Sequence, residues 1–121
     1  MTGVQTCALP ISLKMTTFTD TNFDTAAAAQ PGLLLVDFWA DWCEPCKRLT
    51  PVLDALTRAH EDLTLVKLNA ESFPTTLSRY GIQGLPAVLL FKDGQLCDYV
   101  FGAKPATEYD KMVTKAKGLR P

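Results

Sequence analysis

The sequence predicts an α/β domain, a mixed β-sheet flanked by helices. Short apolar runs of strand length, Leu33–Phe38, Leu63–Leu68 and Ala87–Phe91, alternate with segments whose apolar residues recur at helical spacing. An Asp93-Gly94 pair then joins the third run to a further strand, as a two-residue hairpin turn does. Helices between strands allow parallel crossovers, and a hairpin adds an antiparallel neighbour, so a mixed sheet follows.

Taken in order, Thr16–Thr19 is short and β-prone and reads as an edge strand. Asp20 or Thr21 is suited to cap a short helix through Ala29, which Pro31-Gly32 stops. Leu33–Phe38 is nearly continuously apolar, as in a strand covered on both faces. From Cys43 onward Leu49, Val52, Leu53 and Leu56 fall on one helical face. Pro51 lies inside that helix and is expected to kink it, because proline removes a backbone bond and crowds the preceding turn. Leu63–Leu68 reads as another buried strand. A short helix is expected from about Pro74 to Tyr80, ended by Gly81. Ala87–Phe91 and Gln95–Phe101 form the hairpin. Pro105 opens the last helix, with Tyr109, Met112, Val113 and Ala116 on its inner face. The expected total is about five strands and about four helices.

The 121 residues are 47% hydrophobic and 21% charged, with a net charge of −1, which suits one globular domain. There is no basic patch to attract nucleic acid or a membrane surface, and no apolar run near the ~20 residues of a spanning helix. Four cysteines are too few for a small secreted disulfide scaffold. A close pair among them reads as redox or metal chemistry in a reducing, cytoplasmic compartment.

Residues Met1–Ile11, MTGVQTCALPI, differ in character from the rest. They lack the basic start and long apolar stretch of a secretory signal, the first basic residue being Lys14. They resemble the conceptual translation of a sequencing-library adapter. Residues 1–14 are therefore expected to be a non-native or disordered extension, with the domain at 15–121, and Cys7 carries no role.

The run Phe38–Lys47, FWADWCEPCK, is the most informative segment. Cys43 and Cys46 stand two residues apart at the junction of a strand and a helix. A helix N-terminus has partial positive charge and unpaired N–H groups, which stabilise a thiolate, the form that attacks disulfides. Zinc would need two more ligands, and the only candidates, Cys97 and His60, stand at no usual spacing. Asp37 interrupts an apolar strand six residues before Cys43, so it is either solvent-facing at a strand end or buried with a raised pKa. Lys67 is the only charge in LTLVKL and is either a surface lysine or a partner for that acid.

VDFWADWCEPCK (Val36–Lys47), Pro51, VKLNAE (Val66–Glu71), YGIQGLPAVLLFKDG (Tyr80–Gly94) and FGA (Phe101–Ala103) occur in the order and spacing of the thioredoxin family. The resemblance covers Met15 to about Lys117 and implies the thioredoxin fold. It implies that Cys43 is the exposed attacking thiol and that Cys46, one turn inward, resolves the mixed disulfide. It places Asp37 beneath the dithiol as a proton relay to Cys46, with Lys67 as its charge partner. It implies a cis Leu85–Pro86 bond against the dithiol, where an ordinary trans proline opening a strand is the alternative. Trp42, Pro45, Gly84, Leu85, Phe101, Gly102 and Ala103 match the family's apolar docking surface. Trp39 is expected to pack behind the site and Phe91 in the core. Implied partners are disulfide-containing client proteins and a thioredoxin reductase, a flavin enzyme using NADPH; a monomer without cofactor or metal is expected.

The chain departs from the family pattern at Glu44, where glycine is usual. Its charge opposes ionisation of Cys43, which favours a more reducing couple, and it biases docking toward basic surfaces. Arg48, where an apolar residue is common, is placed to pair with Glu44 across one helical turn. Cys97 is expected to be a small packed residue and His60 a surface residue near a helix C-terminus. The leading function is a protein disulfide reductase. The alternatives are a chaperone or binding module with an incidental dithiol, and a disulfide oxidase or isomerase of an oxidising compartment. Relatives of the last kind usually carry histidine between the cysteines.

Overall fold

The computed structural model describes residues 18–118. Helix α1 (Phe23–Ala29) leads into β1 (Leu33–Trp39), then α2 (Glu44–Ala59), β2 (Leu63–Asn69), a 3-10 turn (Ala70–Ser72), α3 (Pro74–Arg79), β3 (Ala87–Lys92), β4 (Gln95–Phe101) and α4 (Ala106–Lys117). The strands lie in the order β2-β1-β3-β4. β1 runs parallel to β2 and antiparallel to β3, and β3 runs antiparallel to β4. The sheet is mixed, as expected, but has four strands among the described residues rather than five. Of the expected edge strand, Thr16 and Thr17 lie outside those residues, and Phe18 and Thr19 are not in a strand.

Strand alternation divides the core. Leu34, Val36 and Phe38 point to one face, joined by Ala87, Leu89 and Phe91 of β3, and pack against Phe23, Phe73 and Ile82. Phe23 is the hub of that layer, with ring centroids 5.7 Å from Phe18, 5.9 Å from Phe38, 6.3 Å from Phe73, 5.6 Å from Tyr80 and 6.0 Å from Phe91. Leu33 and Leu35 point the other way, with Val88 and Leu90, against Leu49, Leu53 and Leu56 of α2 and Tyr109, Met112 and Val113 of α4. Asp37 follows Leu33 and Leu35 in this alternation, so it points toward α2 and not toward the aromatic layer. Lys67, its register partner on β2, shares that face.

Several local expectations need correction. β2 is only half-buried along most of its length, because it is the outermost strand on its side among the described residues. Asn22, not Asp20 or Thr21, is the N-cap residue of α1. Asp20 instead caps α3: its carboxylate accepts from Thr75 N (3.1 Å), Thr76 N (2.8 Å) and Thr76 Oγ1 (2.8 Å). Burial works against the Asp20 charge, but the Thr76 and Thr75 hydrogen bonds prevail and hold its pKa below the usual range. α2 runs from Glu44 through Pro51 to Ala59, with Pro51 inside it as expected. The Asp93-Gly94 turn has positive φ at both residues, 50° and 87°, as a type I′ hairpin requires. A Cβ at Gly94 would stand 2.8 Å from the Ala28 carbonyl oxygen, so glycine is needed there for space as well as for φ.

Candidate active site

β1 delivers the chain to Ala40, where a tight turn, closed by Cys43 N donating to the Ala40 carbonyl at 3.1 Å, starts α2. Cys43 is the helix N-cap: its Sγ accepts from Cys46 N at 3.2 Å, and Pro45 fills an early helical position where the missing N–H costs nothing. Cys43 and Cys46 are joined as a disulfide, with Cα atoms 5.3 Å apart. Both are buried, Cys43 4% exposed and Cys46 1%. The expectation of an exposed Cys43 is thus corrected: Trp39 and Leu85 pack onto the Ala40–Cys43–Cys46 cluster and cover it. The large exposed side chain at the site is Trp42, 68% exposed, whose Nε1 donates to Glu71 Oε2 at 3.0 Å.

The Leu85–Pro86 bond is cis and Pro86 is buried. Its carbonyl accepts from Gly102 N at 2.7 Å, which ties the Phe101–Ala103 segment to the proline loop. Tyr109 of α4 adds a second tie, since its phenol donates to the Gly102 carbonyl (3.4 Å) and accepts from Lys104 N (3.1 Å). Trp42, Glu71, Pro74, Leu77, Ile82, Gly84 and Leu85 line a mostly apolar groove of about 280 Å³ beside the disulfide. Phe101 and Ala103 are exposed; Phe101 stacks against Tyr99, ring centroids 4.9 Å apart. Gly102 has a φ of 88°, the left-handed region.

Asp37 is fully buried, and neither carboxyl oxygen has a hydrogen-bond partner. Burial pushes its pKa up to about 6; Lys67 pulls it down and Asp54 pushes it further up. Lys67 does not bind Asp37. Its ammonium donates to Asp54 Oδ1 of α2 at 2.8 Å, while its charge still acts on Asp37 without a hydrogen bond between them. Glu44 likewise pairs with Lys47 at 3.3 Å, not with Arg48. His60 is not a free surface residue: it bridges Asp110 and Lys117, at 2.7 Å each, and is 11% exposed along its side chain. Cys97 is half-buried against the α2–α4 core, and burial pushes its thiol pKa up. Among the described residues no group of three or more His, Cys, Asp or Glu could hold a metal ion.

Sequence reasoning missed Asp54, Glu71 and Tyr109 as parts of this site. Glu71 lay inside a matched run. Asp54 gave no periodic signal, and Tyr109 read only as core.

The thioredoxin family model matches residues 14–115. The chain belongs to the thioredoxin family. It is 41% identical over 90 residues to thioredoxin 1 of Synechococcus elongatus, covering 74% of this chain and 84% of that protein. Identity to the thioredoxin of Synechocystis sp. is 47% over 75 residues, covering 61% and 70%. Identity to that of Rhodospirillum rubrum is 40% over 90 residues, covering 74% and 86%. A solved chain from a study of thiol resolution in yeast mitochondrial 1-Cys peroxiredoxin by the glutathione and thioredoxin systems superposes with a TM-score of 0.71. It is 32% identical and covers 78% of this chain and 88% of its own. This thioredoxin-family chain is a dithiol–disulfide oxidoreductase, with the Cys43–Cys46 pair as its redox group. No helix among the described residues is long and apolar enough to cross a membrane.

Proposed function

We propose that the chain reduces disulfides of client proteins by a two-step exchange in which Cys43 attacks and Cys46 resolves. The observation that carries this reading is the capping geometry: Cys43 Sγ already accepts a backbone N–H at the N-terminus of a 16-residue helix. That donor, and the positive end of the helix, favour the thiolate over the thiol. The Cys43 thiolate bonds to one sulfur of the client disulfide, and the other leaves as a thiolate. Cys46, losing its proton, then attacks Cys43 Sγ, releases the second client thiolate and closes the Cys43–Cys46 disulfide. Two electrons pass to the client, and a partner thioredoxin reductase returns them.

Cys46 is 1% exposed, so its proton needs an acceptor inside the protein. Asp37 is that acceptor in this reading, since a carboxyl with a pKa near the working pH is an effective base. Trp42, Pro45, Gly84, Leu85, Pro86, Phe101, Gly102 and Ala103 present the client-docking surface, with the Leu85 backbone pairing to an extended segment. Glu44, exposed beside Cys43, favours basic client surfaces. The activity proceeds in a reducing cytoplasm on a monomer, with no resident cofactor.

Insulin reduction compares the wild type with Cys43→Ser, and equal turnover would refute the assignment. Cys46→Ser is expected to accumulate a client mixed disulfide on Cys43, read as an added mass that a reductant removes.

A further inference from the structure

Asp37 and Lys67 face each other in register across β1 and β2, on the side of the sheet that α2 covers. A buried acid beside a lysine would ordinarily be paired with it, because an unpaired carboxylate away from water is costly. Here the ammonium lies 2.8 Å from Asp54 Oδ1 instead, and both Asp37 oxygens are left without a donor. The Lys67 side chain is 33% exposed and Asp54 44%, so the pair sits at the protein surface while Asp37 lies beneath it. Lys67 also lines a pocket of about 380 Å³ with Trp39, Asp41, Lys47 and Thr50. The lysine therefore has two acids to choose between, and the helix supplies the one it takes.

We propose that Asp54 is a positioning residue: it holds the Lys67 ammonium outward, away from the buried Asp37 carboxyl. The consequence for the chemistry rests on the reading above that Asp37 accepts the Cys46 proton. A carboxylate tied to an ammonium is a weak base. One whose counter-charge is engaged elsewhere keeps a high proton affinity and can take a proton from a thiol near neutral pH. The groups whose charge couples to Asp37 are Lys67 from β2 and Asp54 from α2, and the Tyr109 phenol from α4, whose own pKa is raised by burial and by the Asp37 charge. β3 contributes its register partner Val88, which is apolar. Lys67 and Asp54 are thus the charges that set the proton affinity of Asp37, and they act in opposite directions.

The test titrates the Asp37 carboxyl by carbon NMR in the oxidised protein, where Cys43 and Cys46 do not titrate. Asp54→Asn frees Lys67, and the midpoint is expected to fall by about one pH unit, the low end of what an opposite charge within reach produces. Asp54→Glu is expected to restore the wild-type midpoint. Lys67→Met should raise the midpoint, and in that background Asp54→Asn should produce less than half its original shift. An unmoved midpoint in Asp54→Asn, or an equal shift with and without Lys67, would overturn the proposal. Thermal melting of each variant checks that it is folded. A second measurement separates this inference from the relay: the rate of Cys46 attack on a preformed mixed disulfide, followed against pH. A midpoint that moves while the rate profile stays fixed supports the role of Asp54 and refutes the relay.

Discussion

Replacing Asp37 with asparagine should change how stability depends on pH, with a sign the structure fixes. Asp37 is 0% exposed and its oxygens lack donors, so the fold favours the neutral acid. Its pKa rises from an ordinary 3.8 to about 6 in the native state. A carboxyl with a raised native pKa contributes stability that is fully present below the unfolded pKa. That contribution is lost as pH rises through the native pKa. Two pH units at ~1.4 kcal/mol each give a loss of about 3 kcal/mol by neutral pH, as an order of magnitude. An asparagine side chain does not titrate, so the Asp37→Asn variant keeps what the wild type loses. The amide carries its own cost of about 1–3 kcal/mol for unpaired buried groups, but that cost is independent of pH and cancels in the comparison. The carboxylates held below their usual pKa, Asp20, Asp24 and Asp62, destabilise both proteins alike in acid and cancel too. Denaturant unfolding of the oxidised proteins, at several values from about pH 3.5 to about pH 8, gives the difference directly. The variant should gain about 3 kcal/mol on the wild type across that range, with most of the change between about pH 4 and about pH 6. A stability difference that is flat with pH would refute a desolvated Asp37.

Glu44→Gly should make the Cys43–Cys46 couple less reducing, by less than about 30 mV, because an exposed charge paired with Lys47 contributes under ~1.4 kcal/mol; an equal or more negative potential against glutathione contradicts this. Phe23→Ala should cost about 3–5 kcal/mol of unfolding free energy, since it empties the hub of the aromatic layer; a loss below ~1 kcal/mol in urea unfolding would mean that the layer closes over the gap. Thr76→Val should cost about 1 kcal/mol, because it removes the buried hydroxyl that donates to Asp20, and differential scanning calorimetry would read it.

β1 and β3 were legible because burial on both faces leaves a mark that needs no context. Leu33–Phe38 has no polar residue except Asp37, and β1 is fully buried until Trp39. The dithiol was legible because its two cysteines and the helix start are adjacent in sequence. Pairings between elements were not. Glu44 had Lys47 and Arg48 within reach at three and four residues, and nothing in the sequence ranks them. The Lys67 partner depends on how α2 lies across the sheet, which places Asp54 over β2 from 13 residues upstream. Asp20 reads as a cap for the helix it precedes, yet its carboxylate serves α3, because α1 and α3 share one face of the sheet. Spacing rules describe neighbours along the chain, and these three contacts are made by the packing of layers.

Asp20 reaches 55 residues along the chain to hold the first turn of α3, and that helix supplies Pro74 and Leu77 to the groove beside Trp42. A fusion partner joined ahead of Phe18 would leave this clasp closed. Trimming through Asp20 would open it and free the first turn of α3, which lines that groove from a point remote in sequence from the cut. The cut would leave the redox pair and all four strands in the chain, but it would also take Phe18 from its place against Phe23 in the aromatic layer. If the groove docks clients as proposed, a shortened protein would lose part of its discrimination among them along with the Phe18 contact.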